Sequence, residues 1–285
     1  MISIAFGLGT ACFFAAGSLL NSRAVRYIPA WSVVAWMMLV GLVITLPFVF
    51  VSGVPSSLDG STVAWLAVAG CGNVAGLVCA SFAFRIGKVG IIAPILATEG
   101  AISATLAALS GESIAPSVAM TLLVIVGGIV LAAVAPDPEP IEHERPVLAA
   151  LIAVGGAACF GASLYAAGHL SADLPISWVL LPPRLVGVAA LAIPLLITGN
   201  LQINRKALPL VLTMGVTEVL GFTCFAIGAQ YAVAVTSVLA SQFAPIAAVA
   251  AYLLFRERLG KLQVTGVVVL VLGVPTLTLL TSGSA

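Results

Sequence analysis

AWSVVAWMMLVGLVITLPFVFVS, residues 30–52, runs for 23 residues without a charge. At about 1.5 Å per residue a helix of that length crosses the roughly 30 Å hydrocarbon core of a bilayer. Its apolar residues do not alternate with polar ones, as the strands of a membrane barrel would require. Lipid offers the backbone no hydrogen bonds, so such a stretch must be helical. Similar runs recur along the whole chain. Hydropathy, punctuated by Gly, Pro and charge, places spans at 2–20, 30–52, 62–84, 89–110 and 116–135, then at 147–168, 176–198, 207–229, 234–255 and 261–280.

Composition agrees. Of 285 residues, 61% are hydrophobic and 7% charged, with a mean hydropathy of +1.23. A soluble domain carries about 25% charged residues, so lipid must cover most of this surface. The expected fold is an all-α integral membrane protein of ten transmembrane helices. The first run lacks a basic leader and reads as a retained helix. A net charge of +1 gives no field for nucleic acid. Cys12, Cys71, Cys79, Cys159 and Cys224 lie in apolar segments without metal-ligand or disulfide-framework spacing.

The chain repeats itself. Leu8–Phe13 (LGTACF) is matched by Gly155–Phe160 (GGAACF), and Leu39–Leu42 (LVGL) by Leu185–Val188 (LVGV). Gly70, Gly76 and Gly128 recur as Gly215, Gly221 and Gly273, and Glu112 as Glu257, all at offsets of 145–147 residues. The pattern divides the chain into a five-helix unit at 1–138, an acidic Pro-containing linker at 139–146 and a second unit at 147–285. Ten of the eleven Lys and Arg residues lie in the loops after the first, third, fifth, seventh and ninth spans. The positive-inside rule puts those loops in the cytoplasm and both termini outside. An odd-numbered unit must insert its second copy upside down, so these are inverted repeats.

The segment Phe255-Arg256-Glu257-Arg258-Leu259, followed by Gln263, Gly266 and Gly273, resembles the "G-E-x-L…Q…G…G" pattern of the drug/metabolite transporter superfamily, in its EamA-like ten-helix members. Gly111-Glu112 and Gly128 form a fainter first copy, with Val118 and Thr121 where Gln and Gly would stand. An Arg of the family's second and seventh helices is matched by Arg184 but not by Met38. The resemblance implies two five-helix halves of opposite orientation and transport, often export, of small metabolites such as amino acids or amphipathic compounds. Many family members are drawn with cytoplasmic termini, the reverse of what these charges give.

Glu99, Arg184 and Glu218 lie deep within spans, the acids about 15 Å and the arginine about 12 Å from the nearer end by helical rise. Each costs roughly 2.5–3.5 kcal/mol at a helix centre on insertion scales. They mark either a polar cavity between the halves or a buried ion pair that fixes packing. In the cavity reading Arg184 holds an anionic group, and a carboxylate holds a cationic group or a coupling proton. Asn73, at the position equivalent to Glu218, and Gln242 either line that cavity or join helices by a hydrogen bond. Trp36, Phe13, Phe14 and Tyr165 would suit an aromatic wall, while Trp31, Trp65 and Trp178 fall where interfacial anchors sit. Pro94, Pro183 and Pro245 are hinge candidates, or static kinks. Glu112 and Glu257 are expected to cap helices, and Gly127, Gly128, Gly266 and Gly273 to allow close approach, either internally or in a dimer.

His143 and His169 have no metal partner at ligand spacing, and no phosphate-binding loop or hydrolase motif occurs. The expectation is a secondary transporter of the inner membrane rather than an enzyme. It would need no cofactor or metal, its partners being a small-molecule substrate and the bilayer, as monomer or homodimer. A channel-like pore, a membrane sensor and an intramembrane enzyme are the alternatives.

Overall fold

The computed structural model describes residues 2–55, 58–109, 120, 121, 124, 127, 128, 144–171, 173–231, 236, 239–255 and 260–282. These are α-helices joined by short connections: α1 (Ile2–Ala24), α2 (Ala30–Ser52), α3 (Gly60–Ile86), α4 (Val89–Leu96), α5 (Glu99–Leu109), α6 (Pro146–Leu170), α7 (Ile176–Gly187), α8 (Ile193–Ile197), α9 (Ala207–Ala229), α10 (Phe243–Phe255) and α11 (Lys261–Ser282). A π-helical turn, Val188–Ala192, joins α7 to α8, and the three together form one long apolar helix. Among the described residues, six helices are long and apolar enough to cross a membrane; shorter apolar helices cover 89–103, 243–255 and 264–273. Large apolar side chains such as Val43, Phe50, Leu151 and Leu253 face outward, where lipid takes the place of water. The chain is a multi-pass membrane protein. Of the fifth expected span, only residues 120, 121, 124, 127 and 128 are described, all helical; Glu112, Glu257 and His143 lie outside the described residues.

The two repeats show in which helices touch. The tightest pair is α3 with α6, and the next is α1 with α9. Both join the first helix of one half to the third helix of the other. The contact of α2 with α9 is mirrored by α7 with α3, and that of α6 with α4 and α5 by α1 with α10. Helices α2 and α7 cross each other at the centre of this pattern.

Small residues allow these crossings. A Cβ at Gly76 would sit 2.5 Å from the Phe160 ring, and one at Gly221 would sit 2.7 Å from Phe14. Each is a third-helix glycine under a first-helix phenylalanine. Gly128 packs toward Gly266 and Val269, where a Cβ would come within 3.2 and 2.8 Å, so close approach there is internal. Gly53 and Gly199 end α2 and α8 at φ 68° and 67°, a left-handed turn that glycine adopts at little cost.

Cross-contacts at the loops show which of them share an end. Arg23 lies 3.7 Å over the Phe255 ring, Asn204 Nδ2 donates to Tyr27 O at 3.0 Å, and Arg145 N donates to Ile86 O at 2.9 Å. All of these residues belong to the arginine- and lysine-bearing connections or flank them. At the opposite end, Trp178 Nε1 donates to Gly53 O at 2.8 Å, and the Ser52 and Ser177 hydroxyls are 2.8 Å apart.

Candidate functional site

Two of the three deep charges meet. The Arg184 guanidinium on α7 donates from Nη2 to Glu218 Oε2 on α9. Arg184 is fully buried and Glu218 nearly so. Glycine at position 41 of α2 makes room, since a Cβ there would stand 3.3 Å from Arg184 Cγ and Nε. The guanidinium carbon is 5.7 Å from the centre of the Phe222 ring. Removing either partner would leave an uncompensated buried charge, so each side chain holds the other in place.

Glu99 stands apart from that pair. The fourth expected span is not continuous: α4 ends at Leu96, Ala97 and Thr98 form a turn, and α5 begins at Glu99. The turn tightens through Thr98 N to Ile95 O at 3.1 Å, a three-residue step, and Thr98 Oγ1 bonds the same carbonyl at 2.7 Å. The ninth span breaks in the same way at Ser241–Gln242, just before α10. Broken helices leave backbone groups unsatisfied at membrane depth, which is tolerated beside a cavity or packed protein.

Glu99 and Glu218 line one cavity of about 80 Å³ between the halves. A single water needs roughly 10–15 Å³ on this measure, so a small organic molecule or several waters fit. Six phenylalanines contribute to the wall: Phe13, Phe14, Phe84, Phe160, Phe222 and Phe243. Phe14 is 5.4 Å from Phe222 and 6.3 Å from Phe243, ring centre to ring centre. The polar lining comprises Ser18, Asn21, Asn73, Glu99 and Glu218. Asn21 Oδ1 accepts from Ser81 Oγ at 3.1 Å. Asn73 is fully buried, yet neither its Oδ1 nor its Nδ2 has a partner among the described residues. An amide in that condition costs roughly 1–3 kcal/mol unless something else satisfies it.

The cavity is not centred. Its residues on α1 run from Phe13 to Asn21 and on α3 from Asn73 to Phe84, the halves of those helices that lead to the arginine-bearing loops. Beyond it, toward the other end, α3 and α6 close up: a Cβ at Gly72 would be 2.8 Å from Cys159 O, and Ser163 Oγ donates to Ala69 O at 2.7 Å.

Several expected residues lie elsewhere. Arg184 does not line the cavity; it sits behind Glu218 and Phe222. Trp36 is also absent from the wall, because its Nε1 donates to Gln202 O at 3.1 Å and ties α2 to the segment after α8. Tyr165 packs against Trp65, ring centres 5.6 Å apart, and His169 against the same indole at 5.0 Å, in an aromatic cluster between α3 and α6. Gln242 occupies the turn before α10, its backbone N donating to Leu239 O at 3.1 Å, and is not in the lining.

The prolines are placed unevenly. Pro94 lies inside α4, three residues before the break. Pro245 is the third residue of α10, where an N–H would have no partner within the helix. Pro183 leaves α7 unbroken, and the irregular winding follows it at Val188–Ala192. The residues missed from sequence are Asn21, Ser18 and the phenylalanines beyond 13 and 14. Phe160 had left a trace, being the repeat mate of Phe13.

The model of the EamA-like transporter family matches residues 1–134 and, a second time, residues 147–279. No curated protein matches the chain. Among solved structures 27 chains match. One of them, described only as a crystal structure of a protein, superposes with a TM-score of 0.66 over 98% of this chain and 97% of its own, at 16% identity. At that identity the likeness shows the fold alone.

Proposed function

The chain belongs to the EamA-like transporter family, and we propose that it is a ten-span secondary carrier that exports a small metabolite, either an amino acid or an amphipathic compound, by alternating access. The observation that carries the reading is the cavity between the inverted halves, with Glu99 at a broken helix and Glu218 pinned by Arg184. Sites at the midplane, built from discontinuous helices at the interface of inverted repeats, are how carriers of this general design present substrate to either side.

The basic loops belong in the cytoplasm by the positive-inside rule, with both termini outside and the membrane the inner one. The cavity leans toward those loops, which favours loading from the cytoplasm. The two units, 1–138 and 147–285, would rock against each other, with bending at the breaks beside Pro94 and Pro245 and at the irregular turn after Pro183. Glu99 would exchange a proton or a cationic group of the substrate, and Asn73 would hydrogen-bond the substrate. Glu218, held by Arg184, would fix one wall.

Purified protein in liposomes tests this by counterflow of a labelled amino acid and amine panel. Saturable exchange is expected, and Glu99→Gln should abolish flux driven by a pH gradient while leaving exchange. Unitary conductance, or no saturable flux across the panel, would overturn the carrier reading.

A further inference from the structure

Resting on that carrier reading, we infer that the cavity recognises an organic cation with an apolar body, its ammonium group set against Glu99 and Asn73. Among the described residues, the lining contains two carboxylates and no lysine, arginine or histidine. The nearby cation, Arg184, is turned to Glu218 and screened from the cavity by Glu218 and Phe222. An anionic group would therefore meet carboxylates with no counter-charge in reach, an arrangement that opposes binding.

Hydrogen bonding points the same way. Glu218 Oε1 and Asn73 Oδ1 are buried acceptors without partners among the described residues, and Asn21 Oδ1 is already taken by Ser81. With the Glu99 carboxylate added, these acceptors outnumber the one buried unpartnered donor group of the lining, Asn73 Nδ2, and so suit a ligand rich in N–H. An ammonium has three such donors and no acceptor. The phenylalanine faces supply both apolar contact for the body and attraction for the charge. Asn73 is thereby a specificity residue: its amide accepts from the ammonium where its repeat mate, Glu218, accepts from Arg184.

Three probes with nearly the same body and different charge test the assignment by calorimetry on the purified wild-type protein: 3-phenylpropylammonium, 3-phenylpropionate and L-phenylalanine. The cation should bind about tenfold or more tighter than the other two, the ratio that one charge-assisted hydrogen bond gives. Glu99→Gln and Asn73→Leu should each lower its affinity by about tenfold. Asn73→Asp should raise it, a gain that damage to the fold would not produce. Equal or tighter binding of the anion or zwitterion, no binding of any probe, or an Asn73→Asp variant without gain would overturn the assignment. Zwitterion binding with saturable flux would do so while leaving the carrier reading intact; tight cation binding without flux would do the reverse.

Discussion

Positions 38 and 73 in the first half correspond to 184 and 218 in the second, at offsets of 146 and 145. One half has methionine and asparagine there; the other has arginine and glutamate. Around them the backbone geometry is kept. Gly41 lies under Arg184 and Gly187 lies under Met38, each glycine receiving the side chain that crosses from the opposite half. Gly70 meets Pro182 of α7, and its mate Gly215 meets Met37 and Val40 of α2. Inversion has thus conserved the places where helices must approach and released the charges. The difference teaches that packing carries the architecture, while the uneven polar groups give the cavity its chemistry.

The sharpest way to break the comparison is to make the second half like the first. Arg184→Met should destabilise the protein by about 3–5 kcal/mol, because Glu218 is left buried and unpaired. Adding Glu218→Asn should recover most of that loss, since Met38 and Asn73 already show that the pair of residues is compatible with this packing. Thermal unfolding in detergent, single against double variant, decides it; a double variant as unstable as the single would refute the argument. Next in size are the two glycines beneath phenylalanines. Gly76→Ala and Gly221→Ala should each cost about 1–3 kcal/mol through overpacking, with rescue by Phe160→Ala and Phe14→Ala respectively. Unequal losses would show that the mirrored contacts are not equivalent. Smallest is Trp36→Phe, which removes the hydrogen bond to Gln202 and should cost about 1 kcal/mol. Trp178→Phe should match it, because the bond to Gly53 is its counterpart at the opposite end.

The apolar runs and the ordered matches between halves made an all-helical membrane chain of two repeats legible before any coordinates. Depth along a helix was legible too: Glu99, Asn73 and Glu218 all reach the cavity. What could not be read was azimuth. A helix in lipid is apolar all round, so no polar face tells which side looks inward. Trp36, Tyr165 and Gln242 are not among the residues of the cavity wall. Phe84, Phe222 and Phe243 line the wall although nothing in their sequence context separates them from lipid-facing residues. Asn21 was lost for another reason: α1 runs to Ala24, beyond the expected end at 20, and carries Asn21 into the bundle. The break at Ala97–Thr98 was hidden because Pro94, the visible signal, lies a turn before it.

Helices α2 and α7 are laced at both ends of their crossing, by Trp36 and Ser32 to the segment after α8 and by Trp178 and Ser177 to the end of α2. A bundle fastened in this way has a keel. In the carrier we propose, tilting of the remaining helices would turn about that line, so small displacements near it would become large ones at the far rims. The same lacing ties each of α2 and α7 to the far end of the other, and the one buried arginine among the described residues, Arg184, lies on that line.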